Sequence, residues 1–406
     1  MNNCINAEFT FEDVERAVFQ LSPSKAPGCD GFSAVFFQKF WPEVKFDVAT
    51  EVLQFFDNGT LNLDQNRTMI TLIPKLKQAK RIEDFRPISL CSVFMKIISK
   101  MMMSRVQPFL DQIISSNQSA FVKGRVISDN ILIAQELMHF LKGRKKQKKA
   151  YASLKLDMNK AYDRVEWDFL ENMLLRLGFE ETWIHKIMIC VRTVTYVVRV
   201  NDDLTETIIP SRGLRQGDPL SLYLFIICME WLSARINKSM LERKFGGLKI
   251  CRDAPNISHL FFADDSLIFL KARASEADEL LNILSEYEKL SGQKVNFLKS
   301  EICFSKNTND DVRKAVKDLL NIKEVDCHSK YLGLQLVAGQ KLSAVCGELV
   351  EKLWSKLQSW ENLKLSVGGR EILIKAVLQA IPQYTMSCVY LPESIINKLS
   401  SAIVNF

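Results

Sequence analysis

The chain has 406 residues, of which 47% are apolar and 25% charged, and this composition excludes wholesale disorder, collagen-like repetition and a coiled coil. Its ten cysteines include no CxxC pair, which favours reduced thiols over disulfides or zinc, so that oxygen atoms would have to hold any metal. The longest apolar run, 222–229, is far shorter than the ~20 residues of a bilayer span, and the N-terminus has no basic start. We therefore predict an intracellular protein, nuclear or cytoplasmic, that is not secreted.

The sequence pattern predicts mainly helices in the first third of the chain. Thr10 and Asp13 resemble a capping box ahead of apolar residues at helical spacing, which predicts a helix that ends near Leu21. The patterns that follow predict, in chain order, a glycine- and proline-rich loop over 23–32, helices over 33–41 and 42–57, a strand over 68–74, a turn-like segment through Arg86-Pro87, and helices over 93–106 and 129–141.

From residue 151 onward, strand patterns alternate with helical ones. The segment YASLKLDM is a predicted strand with Lys155 and Asp157 on one face. After it we expect, in chain order, helices over 168–177 and 181–192, a hairpin of TYVVRV and ETIIP, the loop RGLRQGDPLS, a helix over 220–237, the hairpin HLFFADDSLIFLK, a helix over 275–290, the strand EICFS, a helix over 310–320, the strand KYLGLQL and helices to the end.

Positive charge is concentrated in one part of the chain. Lys and Arg number 54 against 47 Asp and Glu, for a net charge of +7, yet residues 67–149 contain 17 basic and only 5 acidic residues. Two interpretations stay open here, a surface that binds a polyanion and a set of solvated helix faces with one basic loop.

Asp264 and Asp265 are an acidic pair that ordinary turn chemistry does not require. Apolar strands flank them on both sides, so the two carboxylates would repel each other unless a cation or strong hydrogen bonds offset the repulsion. Asp157, at the end of another strand, can supply a third carboxylate. Three such groups suit Mg²⁺ shared with substrate phosphates, which predicts phosphoryl transfer. The alternative is that Asp157 caps a helix and the pair forms a plain turn.

LDMNKAYD, RGLRQGDPLS and FADD, in this order, resemble the reverse transcriptase of plant non-LTR retrotransposons of the long interspersed nuclear element type. Further segments, among them APGCDGF, DFRPISL, NQSAFVKGR, GQKVNFLKS, KYLGLQL and GGREILIKAVLQAIP, extend the resemblance from residue 26 to about 392. The resemblance implies an α+β right-hand polymerase. Its fingers would comprise a helical extension (1–66) and 67–150, its palm an antiparallel sheet flanked by helices (151–340, with a fingers insertion near 165–215), and its helical, truncated thumb 341–406.

The implied activity is that of an RNA-directed DNA polymerase that extends a DNA primer 3′-hydroxyl on an RNA template. The implied substrates are deoxynucleoside triphosphates and the implied cofactor is two Mg²⁺ ions, for which Mn²⁺ substitutes. Asp157, Asp264 and Asp265 match the metal-binding, catalytic aspartates of the family. One metal would lower the pKa of the primer hydroxyl, and both would stabilise charge on the phosphates.

The resemblance also implies residues that bind the nucleotide. Tyr162 matches the steric gate that collides with a 2′-hydroxyl, and its alternative is a core tyrosine of the palm. Gln216 and Gly217 match the nucleotide-positioning motif, where glycine lets the backbone approach a ligand. Lys75 and Arg86 match positions that contact the triphosphate, and either can instead be an exposed cation without a role.

Contacts with nucleic acid are implied at several basic and backbone positions. Lys123 and Arg125 would hold the template backbone, and the segment of Tyr331 and Gly333 would hold the primer. Arg370 and Lys375 would touch duplex phosphates, and Lys294 or Lys299 would assist the departure of pyrophosphate. We interpret the basic segment 142–149 first as a solvated loop and second as an RNA contact.

Two features favour a second hypothesis, a catalytically inactive retrotransposon remnant that only binds nucleic acid. Leu222 stands where the family motif QGDPLSP has its second proline, which would rigidify the first turn of a helix. Complete elements of this type also carry an endonuclease domain and further C-terminal sequence, neither of which is expected in this chain. An RNA-dependent RNA polymerase is disfavoured by Tyr162, and the sequence leaves the oligomeric state open.

Overall fold

The computed structural model describes residues 1–143, 149–201, 203–328, 330–336, 342–361 and 363–406. Its α-helices are α1 (Asn2–Ile5), α2 (Phe11–Gln20), α3 (Ala34–Lys39), α4 (Trp41–Asn58), α5 (Val93–Val106), α6 (Leu110–Ile113), α7 (Ile127–Gly143), α8 (Trp167–Arg176), α9 (Glu181–Arg192), α10 (Pro219–Leu241), α11 (Ala274–Ser291), α12 (Asp310–Leu320), α13 (Leu342–Trp360), α14 (Val367–Leu373), α15 (Ala380–Cys388) and α16 (Glu393–Val404).

The β-strands are β1 (Arg67–Pro74), β2 (Phe85–Leu90), β3 (Tyr151–Leu156), β4 (Thr195–Val200), β5 (Asp203–Leu204), β6 (His259–Phe262), β7 (Asp265–Lys271), β8 (Glu301–Phe304) and β9 (Lys323–Glu324). Short 3-10 turns occupy Ile82–Asp84, Gln107–Phe109 and Tyr162–Arg164, and a π-helical turn, Ile374–Leu378, separates α14 from α15. The described chain therefore combines helices with two sheets whose strand pairs are mostly antiparallel, which is consistent with the α+β class.

The chain divides into two compact units. The first unit comprises Met1–Gly124, Met158–Lys238 and Leu281–Asn296, and the second comprises Arg125–Asp157, Ser239–Leu280 and Phe297–Phe406. The expected division into fingers, palm and thumb at residues 66, 150 and 340 stays a prediction, and residues 340 and 341 lie outside the described part of the chain.

A four-stranded sheet with the order β2-β1-β4-β5 lies in the first unit. β1 is antiparallel to β2 and parallel to β4. The sequence pattern wrongly predicted a turn-like segment where β2 runs. Pro87 is tolerated because β2 is an edge strand: its nitrogen faces the same way as the N–H of Ser89, which donates to the carbonyl of Gln216 outside the sheet.

Helix α2 of the first unit begins where its capping residues predict. Thr10 and Asp13 form the expected capping box at the start of α2. Trp183 is wholly buried, and the ring centroids of Phe9 and Phe56 lie 4.0 Å apart in the core. Among the described helices, α10 is long and apolar enough to cross a membrane by length and composition, but 67% of its apolar window is buried within the protein. Burial of this kind is typical of an apolar helix in the core of a protein.

The second unit contains a five-stranded sheet with the order β6-β7-β3-β8-β9. β3 is antiparallel to both β7 and β8, so this sheet has the largely antiparallel form expected for the palm. Helix α7 covers one face of the sheet, and a shared cluster joins Leu137 and Met138 of the helix to Leu267 and Phe269 of β7. Packing on this face fixes the positions of β3, β6 and β7, and therefore of the side chains at the ends of these strands.

KYLGLQL does not form the predicted strand. Tyr331 and Leu334 pair across a turn whose central residues, Leu332 and Gly333, have φ angles of +49° and +82°. Two successive positive φ angles define a tight turn of the kind that glycine permits. The strand prediction was wrong because alternating apolar residues also fit a turn that packs its side chains into a core.

Candidate functional site

The acidic hairpin consists of β6, β7 and the two-residue turn Ala263-Asp264 between them. Ala263 has a φ angle of +53°, a conformation that residues other than glycine, asparagine and aspartate seldom adopt. Backbone strain of this kind persists only where the surrounding structure holds it, and the buried residues of both strands supply that support. The turn therefore presents Asp264 and Asp265 at the tip of a rigid hairpin, as the sequence predicted.

Asp157 lies beside this tip because of the register of the sheet. β3 and β7 pair as far as Leu156 and Ser266, and the next positions along the two strands are Asp157 and Asp265. The N–H of Asp157 donates to the Oγ of Ser300 at 3.1 Å, which fixes its backbone. All three carboxylates are exposed. The second unit thus brings together the three aspartates that the sequence analysis selected.

The charges at the hairpin act on one another. Desolvation by the surrounding protein raises the pKa of Asp265, and the negative charges of Asp264 and Asp157 raise it further. Lys155 acts in the opposite direction, and its Nζ also donates to the carbonyl of Lys330 at 2.5 Å. The balance disfavours the ionised form of Asp265, so the site would gain from a cation.

The donor set fits a magnesium ion that is shared with a substrate. Within the described residues, no group of three or more Asp, Glu, His or Cys side chains is placed to hold a metal ion by itself. Mg²⁺ does not need such a cage, because it keeps several waters and is usually bound through one or two carboxylates together with substrate phosphates. Exposed carboxylates at the end of a sheet leave room for both.

Two buried side chains support the hairpin from within the second unit. The Nδ2 of Asn130 in α7 donates to the carbonyl of Phe261 at 3.0 Å, and it lies 3.4 Å from the hydroxyl of Tyr331. The Tyr331 side chain is wholly buried, whereas Gly333 is exposed, so of the two residues predicted to hold a primer only Gly333 is accessible. The sequence analysis missed Asn130, although an amide on the same helical face as Ala134 and Leu137 is a signal of a buried polar contact.

Gln216 and Gly217 lie in a loop of the first unit that docks on β2. The N–H of Ser89 donates to the carbonyl of Gln216 at 2.8 Å. Gly217 has a φ angle of +120°, and a Cβ atom there would lie 3.0 Å from the carbonyl oxygen of Ser89. Only glycine meets both conditions, so the close backbone approach that the structure shows at this position is to β2. The approach to a nucleotide that the sequence analysis expected stays a prediction.

Tyr162 lies next to this loop in the same unit. Its carbonyl accepts a hydrogen bond from the N–H of Leu214 at 2.8 Å. Its ring stacks on Phe225 of α10 with centroids 4.4 Å apart and an interplanar angle of 17°. The side chain is half-buried, a state that suits a steric gate with a fixed ring and also suits a tyrosine at the edge of a core.

Lys75 and Arg86 are exposed and belong to neighbouring strands of the first unit. Arg86 pairs with Ile73 across β1 and β2, and Lys75 follows the last residue of β1. Cross-strand partners share a face, so Lys75 is a diagonal neighbour of Arg86 on that face. Desolvation raises the pKa of Asp163, and the charges of Lys160 and Lys75 oppose this rise, which indicates that Lys75 lies near the segment of Tyr162.

The other predicted contacts with nucleic acid are spread over both units. Lys123 is exposed in the first unit, and Arg125 is half-buried in the second. Lys294 belongs to the first unit and Lys299 to the second, and both are exposed. The basic segment 142–149 falls largely on residues 144–148, which lie outside the described residues.

Arg370 and Lys375 are exposed near the C-terminal helices of the second unit. The Nη1 of Arg370 donates to the carbonyl of Phe406 at 3.2 Å, and the Nζ of Lys375 lies 2.7 Å from the carboxylate of Glu371. Such exposed contacts exchange readily with water, so both side chains can turn toward a phosphate.

Comparison with known proteins gives a family and several relatives. The family described as reverse transcriptase (RNA-dependent DNA polymerase) matches residues 73–336, more than half of the chain. The chain is 27% identical over 411 residues to the transposon TX1 uncharacterized 149 kDa protein of Xenopus laevis, covering 99% of this chain and 30% of that protein. It is 25% identical over 290 residues to the Pol polyprotein of the type-1 retrotransposable element R2 of Popillia japonica, covering 71% of this chain and 38% of that protein.

Among solved structures, telomerase from Candida Tropicalis in complex with a fragment of telomeric RNA aligns with a TM-score of 0.48 and 14% identity, over 92% of this chain and 58% of that chain. The chain spans about a third of the length of the two transposon relatives. Both relatives come from animals, so the plant origin that the sequence motifs suggested stays a prediction.

Proposed function

Because the chain belongs to the reverse transcriptase family of RNA-directed DNA polymerases, we propose that it is itself catalytically competent and extends a DNA primer on an RNA template. The observation that carries this proposal is the register of β3 and β7, which makes Asp157 and Asp265 neighbours beside Asp264 at the hairpin tip. A remnant without function would have no need to keep three mutually repelling carboxylates together beside one strained turn.

In the proposed reaction, the 3′-oxygen of the primer attacks the α-phosphorus of a deoxynucleoside triphosphate. A new phosphodiester bond forms, the bond to the β-phosphate oxygen breaks, pyrophosphate leaves, and the hydroxyl proton passes to solvent. Two Mg²⁺ ions, when bound, would activate the attacking oxygen and neutralise charge on the phosphates. Asp157 and Asp264 would hold these ions, and Asp265 would add negative charge next to them.

Residues of the first unit would bind and select the nucleotide in this proposal. Gly217 would let the backbone approach the nucleotide, and Gln216 would contact it. The ring of Tyr162, stacked on Phe225, would exclude a 2′-hydroxyl. Lys75 and Arg86 would contact the triphosphate, since they are exposed on one face of neighbouring strands.

Primer extension on an RNA template tests the proposal directly. The unaltered chain should extend a DNA primer with deoxynucleotides and Mg²⁺, and Asp264→Asn should lower the rate about 1000-fold or more, because the stabilisation at stake is several kcal/mol. Asp253→Asn is the matched control, since Asp253 is an exposed aspartate of the same unit outside the hairpin. Equal rates for the unaltered chain and Asp264→Asn, or no extension by any of them, would favour the inactive remnant.

A further inference from the structure

The loop that carries Gln216 and Gly217 begins and ends on a buried ion pair. The Nη2 of Arg215 lies 2.6 Å from the Oδ2 of Asp218, and the two side chains are only 5% and 2% exposed. The pair joins residues three apart, so it closes a tight turn with Gln216 and Gly217 between its ends. Fully buried charges are rare in proteins unless they are paired, and a pair in this position needs a reason.

Each member of the pair is also tied to another part of the first unit. The Nη1 of Arg215 donates to the Oδ1 of Asn66, just before β1. The Nδ2 of Asn66 in turn donates to the carbonyl of Cys190 at 3.1 Å and to the Oγ1 of Thr193 at 2.8 Å, at the end of α9. The turn is therefore fixed to both a strand and a helix.

Asp218 also caps the N-terminus of α10. Its Oδ1 accepts a hydrogen bond from the N–H of Leu220 at 2.9 Å, which caps the helix, and Pro219 occupies the first helical position. The helix therefore begins normally although Leu222 replaces the second proline of the family motif. This cap ties one end of the turn to the longest described helix of the protein.

The structure leaves little room for water beside the pair. The cavity beside Arg215 and Asp218 has a volume of about 10 Å³, which is the room needed for no more than one water molecule. Burial alone would lower the pKa of the Arg215 guanidinium, but the adjacent Asp218 carboxylate outweighs burial and keeps the guanidinium charged. Arg215 thus stays charged, and both side chains of the pair are closed off from solvent.

We propose that the Arg215–Asp218 ion pair, anchored on Asn66, is a positioning device that holds Gln216 and Gly217 against β2 in the geometry that receives the incoming nucleotide. The inference rests on the proposed polymerase function. Neither Arg215 nor Asp218 touches the nucleotide in this account. They act by fixing the backbone of the turn, so their loss should weaken nucleotide binding more than the chemical step or the binding of duplex.

The test compares Arg215→Lys with Arg192→Lys. A lysine keeps the positive charge but lacks the planar guanidinium group with its several N–H donors. At position 215 it therefore cannot contact the carboxylate of Asp218 and the amide oxygen of Asn66 in the same geometry. Arg192 is the matched control, because it also contacts two acidic side chains of the first unit, Asp168 at 2.6 Å and Glu171 at 2.8 Å, but on the surface. Arg215→Lys should raise the KM for the deoxynucleotide about tenfold, with kcat and the Kd for primer–template changed less than about twofold.

A second variant separates positioning from stability. The double substitution Arg215→Met with Asp218→Asn removes both buried charges and keeps an amide oxygen to cap α10, so the protein should stay folded. Its KM for the deoxynucleotide should rise as in Arg215→Lys. An unchanged KM in the folded double variant, or an equal rise in Arg192→Lys, would overturn the inference.

Hydrogen exchange provides a readout that does not need polymerase activity. The amide of Ser89 donates to the carbonyl of Gln216, so it should exchange about tenfold faster in Arg215→Lys and unchanged in Arg192→Lys. If the unaltered chain extends no primer but this difference is seen, the proposed function fails while the turn is still held by the pair. Equal exchange of Ser89 in all variants would contradict the positioning role, whatever the activity.

Discussion

Asp218 and Asp265 both belong to the motifs that first suggested a polymerase, but the two units of the molecule treat them in opposite ways. In the first unit Asp218 is buried, paired with Arg215 and used as a helix cap. In the second unit the Asp265 residue is exposed, and partial desolvation of its carboxylate, together with the charges of Asp264 and Asp157, raises its pKa. The Asp218 carboxylate is stabilised by a cationic partner, whereas the surroundings of the Asp265 carboxylate disfavour its ionised form.

This difference separates a carboxylate that fixes the backbone of a loop from carboxylates that remain available to bind a cation. A buried carboxylate with a fixed partner holds the backbone around it in one conformation, because separating the two charges would leave each of them buried and unpaired. An exposed carboxylate among like charges contributes little to stability, but it remains available to a cation that arrives with a substrate. The two aspartates should therefore respond to the same substitution with opposite signs.

The largest effect on stability is expected in the first unit. Asp218→Asn leaves Arg215 buried without its anionic partner, so the free energy of unfolding should fall by about 3–5 kcal/mol. Urea denaturation followed by tryptophan fluorescence measures this change. The control is Asp168→Asn, which breaks the exposed ion pair with Arg192 and should change the free energy by less than about 1 kcal/mol. A comparably small change in Asp218→Asn would mean that the buried pair does not hold the turn.

A smaller effect of the opposite sign is expected in the second unit. Asp265→Asn removes one of three neighbouring negative charges, so at neutral pH the free energy of unfolding should rise slightly, by less than about 1 kcal/mol, because water screens exposed charges. The same urea titration, with Asp253→Asn as the unchanged reference, detects it. A clear loss of stability in Asp265→Asn would show that the protein itself compensates the charge of Asp265, and the contrast between the two units would disappear.

Local patterns in the sequence predicted most of the helices and the acidic hairpin. The Thr10 and Asp13 capping box and the hairpin around Asp264 were correct because their signals lie within a few residues of each other. The pairing of β3 with β7 joins segments more than a hundred residues apart, and no local pattern encodes which strands become neighbours. The strand patterns alone left open whether Asp157 reaches the hairpin or caps a helix, the family resemblance favoured the hairpin, and the register supplies its geometry.

The errors and omissions have related physical causes. β2 was missed because Pro87 is normally a sign against a strand, and only its place at a sheet edge makes it acceptable. The burial of Arg215 and Asp218 was missed because charged residues in a glycine-rich loop usually face water. In each case the deciding factor was a tertiary neighbour that the local sequence does not reveal.

The most direct measurement of the central claim is the number of Mn²⁺ ions bound at the acidic hairpin. The unaltered chain, bound to an RNA template, a primer that ends in a 3′-deoxynucleotide and a deoxynucleoside triphosphate, would be titrated with Mn²⁺ and followed by electron paramagnetic resonance. The account predicts about two tightly bound ions per chain and the loss of at least one in Asp264→Asn but not in Asp253→Asn. The same Mn²⁺ binding in the unaltered chain and in Asp264→Asn would contradict it.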